Sequence, residues 1–61
     1  MSRVEIFTNN EWVINSWHKN LDHAIINAEV LYVSRKCDIR VINEGKIVWA
    51  KGGDNYLIDK I

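Results

Sequence analysis

The sequence predicts an α+β fold: a four-stranded antiparallel sheet in the order ββαββ, with one helix packed on one face. Two segments with a period of two precede a helical stretch, and two more follow it. A short turn rich in Asn or Gly separates the members of each pair.

Residues 3–7 alternate, with Val4 and Ile6 on one face and Arg3, Glu5 and Phe7 on the other. Thr8-Asn9-Asn10-Glu11 supplies a turn, because Asn tolerates the left-handed backbone that tight hairpins need. Residues 12–17 form the second strand. Strict alternation there sets Trp12, Ile14 and Ser16 on one face and Val13, Asn15 and Trp17 on the other. Asn20 is a good N-cap, and Asp22 follows in the first turn, where the helix dipole favours an acid. Residues 21–36 contain no Gly or Pro and end in Arg35 and Lys36, cations suited to a helix C-terminus. Residues 39–42 form the third strand. Asn43-Glu44-Gly45-Lys46 reads as a type I turn plus G1 bulge with Gly45 at positive φ. Residues 46–51 form the fourth strand, with Ile47 and Trp49 opposite Val48 and Ala50. Beyond Gly52-Gly53-Asp54-Asn55, the apolar tail 56–61 is expected as a fifth strand or as an arm pairing with another chain.

A chain of 61 residues makes a single domain, 1–61. Such a domain buries only about 60% of the surface its unfolded chain exposes. Small domains compensate with disulfides, a metal or association. Cys37 stands alone, which excludes an internal disulfide and fits a reducing compartment. Residues 1–5 carry no apolar signal region, and no apolar run approaches the about 20 residues that span a bilayer. A cytoplasmic location is expected. Eight Lys and Arg balance eight Asp and Glu, so the chain lacks the basic surplus of a typical nucleic-acid binder.

The helix is apolar on two sides. At 100° per residue, Leu21, Ala24, Ile25, Ala28, Leu31 and Tyr32 fall within an arc of about 120°, the natural core stripe. Ile26, Val30 and Val33 fall in a second arc of about 60°, roughly opposite. One sheet covers one stripe. Helix propensity does not explain three β-branched residues at these positions. They contact another chain, or lie under the C-terminal tail, or stand exposed as scattered apolar residues often do. Three Trp in so short a chain add to the apolar surplus, since Trp is enriched at interface centres as well as in small cores. Trp17 and Tyr56 are the candidate anchors beside Ile26, Val30 and Val33.

No catalytic or metal pattern emerges. His18 and His23 are five residues apart across a strand–helix junction, and Cys37 lies at the far end of the helix, about 20 Å away at 1.5 Å per residue. These residues and Asp22 do not close a zinc site around Cys37, and the same distance defeats a Cys–His nucleophilic pair. Ser2, Ser16 and Ser34 sit in no nucleophile elbow, and residues 52–55 open no phosphate-binding loop. No cofactor is implied. The rival class is a single-stranded nucleic-acid binder that stacks bases on the sheet Trp residues, with Arg35, Lys36 and Arg40 as the flanking cations.

The helix pattern Leu-x-x-Ala-x-x-x-Ala-x-x-Leu, followed by Asp-Ile-Arg-Val-Ile-Asn-Glu-Gly-Lys-Ile-Val, resembles small ββαββ accessory proteins of phages and mobile elements. The resemblance spans residues 21–49, is a folding pattern, and transfers no functional residue. Several such proteins bind and inhibit or retarget a host protein, so it implies a phage-encoded, host-targeting role. The expected function is a non-enzymatic protein-binding module, a homodimer acting as inhibitor or adaptor.

Overall fold

A computed structural model describes residues 1–52. It contains β1 (Ser2–Thr8), β2 (Glu11–His18), α1 (Leu21–Arg35), β3 (Ile39–Asn43) and β4 (Lys46–Lys51). The four strands form one antiparallel sheet in the order β2-β1-β3-β4. This is the predicted ββαββ arrangement. The tail 56–61, expected as a fifth strand or an arm, lies outside the described residues, and Tyr56 with it.

The order follows from the residues. β1 and β3 are the most buried strands and take the centre, where Val4 pairs with Val41 and Ile6 with Ile39. The Phe7 backbone N–H donates to the Asp38 carbonyl at 2.9 Å and continues that ladder. α1 lies over this central pair. Ala24 and Ala28 are wholly buried against Val4, Ile6, Ile39 and Val41, and Leu21, Ile25, Leu31 and Tyr32 pack around them. Two alanines let the helix backbone approach the sheet closely, as the sequence predicts. Asn20 caps the helix, its side chain accepting from the Asp22 N–H at 2.8 Å and the His23 N–H at 3.4 Å. At the other end Lys36 adopts the left-handed conformation (φ 57°) and its N–H donates to the Tyr32 carbonyl, so the helix stops one residue earlier than the pattern suggests.

Both hairpins turn on two residues. Asn9 and Asn10 (φ 53° and 66°) and Glu44 and Gly45 (φ 53° and 79°) all have positive φ. These are type I′ turns, whose twist matches that of the flanking strands. The second hairpin therefore departs from the expected type I turn with a G1 bulge. Glu44 accepts a backbone that favours Asn or Gly, because Asn43 and Lys46 pair directly and leave only two residues to close the loop.

Two bulges overturn the expected strand faces. The register shifts between Val4 and Glu5, so that Ser16 opposes Val4 while Ile14 opposes Glu5, leaving Asn15 unmatched. A second shift lies between Val41 and Ile42, where Trp49 and Ile47 are the partners and Val48 is unmatched. Each extra residue reverses the alternation beyond it. Val13 and Ser16 consequently face the helix, while Trp12, Ile14 and Trp17 share the outer face with Phe7. Trp49 packs toward the helix, and Ile47 joins Ile42 on the outer face rather than sharing a side with Trp49.

Candidate functional site

The two stripes of α1 meet different surroundings. The inner stripe is consumed by the core. On the outer stripe Ile26, Val30 and Val33 are 58%, 61% and 72% exposed. With Glu29 and Ser34 they line a shallow depression of about 400 Å³ that opens to solvent. The helix cannot rotate to hide them. Ala24 and Ala28 hold it against β1 and β3. The Ser16 hydroxyl on β2 donates to Asn27 Oδ1 at 3.3 Å, and the Lys51 ammonium on β4 sits 5.4 Å from the Tyr32 ring centre. These polar ties on both flanks fix which side looks outward.

The outer face of the sheet is built differently. Glu5 is buried at the centre, with Oε1 accepting from Arg40 Nε at 2.7 Å and Oε2 accepting from Arg3 Nε at 2.6 Å. The Arg40 guanidinium lies 4.1 Å from the Trp12 ring centre, and that of Arg3 lies 5.9 Å from Trp17. Phe7 meets Trp12 edge-on at a centroid distance of 5.2 Å. The result is a row of contacts, Trp12–Arg40–Glu5–Arg3–Trp17, that starts and ends on β2 and reaches β3 through Arg40. Planar guanidiniums suit it, because they can hydrogen-bond a carboxylate in the ring plane and offer a face to an aromatic ring. Trp17, at one end of the row, is 55% exposed, and Ile14, opposite Glu5 on β2, is 47% exposed.

The residues singled out from sequence thus fall in separate places. Ile26, Val30 and Val33 form one continuous patch. Trp17 is exposed, but on the opposite side of the sheet from α1, so it does not extend that patch. Arg35 and Lys36 are exposed at the end of α1, whereas Arg40 is buried in the outer-face row; the three do not form one basic surface. His18 Nε2 lies 2.8 Å from the Ser16 hydroxyl, and His23 is exposed. The half-buried Cys37 thiol donates to the Arg35 carbonyl at 3.4 Å. Among the described residues, no group of three or more His, Cys, Asp or Glu is placed to hold a metal, and no helix is long and apolar enough to cross a membrane.

Sequence reading missed the buried row. Its signal was present: Glu5 and Arg40 each stand between two apolar residues of a strand, and they pair directly in the β1–β3 ladder. Only the strand order makes them neighbours. The chain matches no protein-family profile, no curated protein and no solved structure.

Proposed function

We propose that this protein is a non-enzymatic protein-binding module that works as a homodimer and acts as an inhibitor or adaptor of another protein. One observation carries the reading. Three β-branched residues stand more than half exposed on a helix whose opposite side already fills the core. Contiguous apolar surface of this kind is selected against in monomers and marks interaction sites. Helix-in-groove and helix-on-helix contacts use anchors at this spacing. The resemblance to phage accessory proteins points the same way, toward a host-targeting role.

Sedimentation equilibrium tests the reading. The wild type is expected to self-associate in a concentration-dependent manner, and an Ile26→Asp/Val30→Asp variant is expected to stay monomeric with an unchanged circular-dichroism spectrum. A wild type that is monomeric at every concentration removes the dimer. A variant that unfolds shows the stripe to be core.

The rival reading, a single-stranded nucleic-acid binder, draws on the outer-face Trp residues and on Arg35 and Lys36. It is weaker because Arg40 is taken up by Glu5 and Trp12. Salt-dependent binding of oligonucleotides would revive it.

A further inference from the structure

We infer that residues 53–61 fold back over the β3–β4 half of the outer sheet face and close it against water. The inference is independent of the dimer reading, which concerns the opposite side of the molecule.

The outer face is covered unevenly. α1, the one helix among the described residues, lies on the other side of the sheet, against Val4, Ile6, Ile39 and Val41. Yet Glu5, Arg40 and Ile42 on the outer face are only 5%, 7% and 6% exposed. A carboxylate and a guanidinium on an open sheet face would stay hydrated, so their burial requires a cover that excludes water. Trp12 stacks on Arg40 and supplies part of it. That ring sits toward one end of the face, where it pairs with Phe7, whereas Ile42 pairs with Arg3 and Ile47 toward the other end. The two edge strands differ in the same sense. On β2 the outer-face Ile14 and Trp17 are exposed, while on β4 the outer-face Ile47 and Ala50 are half-buried. The cover therefore comes from the β4 side, and β4 is where the remaining chain departs.

The point of departure is constrained. Gly52 has φ 139°, a backbone that L side chains rarely adopt, and a side chain there would collide with the Asp38 carboxylate and backbone. The chain is thus turned tightly against the residue that precedes β3. Residues 53–61 reach roughly 30 Å when extended, more than the about 20 Å length of β4. Tyr56, Leu57, Ile58 and Ile61 supply apolar surface for the cover. Asp54 and Asp59 outnumber Lys60, and the row of contacts beneath carries two guanidiniums to one carboxylate, so the charges are complementary. The outer stripe of α1 is not the landing place, because Ile26, Val30 and Val33 are each more than half exposed. This cover leaves Ile14 and Trp17 open at the β2 edge and withdraws the β3–β4 half of the face from any partner.

Nuclear magnetic resonance of the full chain tests the placement. Nuclear Overhauser contacts are expected from the side chains of Tyr56, Leu57 or Ile58 to the methyl groups of Ile42, Ile47 and Ala50. They should persist when the isotope-labelled chain is diluted into an excess of unlabelled chain, which shows that each segment covers its own sheet. Tyr56→Leu keeps the segment apolar but removes a ring, and is expected to shift the Ile42, Ile47 and Ala50 methyl resonances while leaving those of Ile26, Val30 and Val33 in place. Contacts from residues 56–58 to Ile26, Val30 or Val33, contacts only between labelled and unlabelled chains, or no long-range contacts at all would each overturn the inference. None of these results bears on whether the outer stripe of α1 binds a second chain, so the two readings fail separately.

Discussion

The two sides of α1 are made from similar residues and serve opposite ends. The inner side puts Ala24 and Ala28 at the point of closest approach, with larger side chains only around them. The outer side puts Ile26, Val30 and Val33 in the open, with no alanine among them. A helix that needed only to cover a sheet would carry polar residues there. The inner stripe is fitted to a surface that exists within the chain, while the outer one is left uncovered by the described residues.

The sharpest break of that comparison makes one chemical change on each side. Ala28→Leu forces three extra carbons between helix and sheet, where neighbouring atoms leave no room. It is expected to cost about 3 kcal/mol and to unfold so small a domain in denaturant titration. Val30→Leu adds one carbon in open solvent and is expected to change stability by about 0.5 kcal/mol or less. Equal effects would mean that both stripes are core.

The outer face of the sheet extends the test to buried charge. Glu5→Gln removes the carboxylate shared by two guanidiniums, one of them buried with it. Breaking a buried pair by removing one partner costs about 3 kcal/mol. A urea midpoint close to that of the wild type would show that the row contributes nothing to folding.

Two smaller changes alter stability without touching the contrast. Asn20→Ala deletes the N-cap acceptor and is expected to cost about 1 kcal/mol in thermal or chemical melts. Glu44→Asn places a residue that tolerates positive φ in the second type I′ turn, and is expected to stabilise by about 0.5 kcal/mol. Neither is expected to change oligomeric state, which separates loss of stability from loss of association.

Much of this architecture was legible in the chain because local signals agreed. Asn20, Asp22 and the Leu21–Tyr32 stripe define the helix and its inner side. The Asn9-Asn10 and Glu44-Gly45 pairs mark the hairpins, though Glu at the first position of the second concealed its turn type. What sequence hid was register. Asn15 and Val48 carry no mark of a bulged residue, and each extra position turns later side chains over. Trp12 and Ile14 therefore lie outside, and Trp49 is parted from Ile47. The Glu5–Arg40 pair depended on a β1–β3 adjacency between residues 35 apart in sequence. The exposed stripe of α1 was legible from helical geometry alone, because no bulge intervenes in a helix.

The central claim is that folding and association are linked through the outer stripe of α1. Thermal melts over a wide range of protein concentration test it directly, because a partner that binds only the folded state raises Tm by mass action. The wild type should show Tm rising with concentration, and Ile26→Asp/Val30→Asp should show a constant Tm near the dilute wild-type value. A wild-type Tm independent of concentration, or a variant that melts far below it at high dilution, would contradict the account.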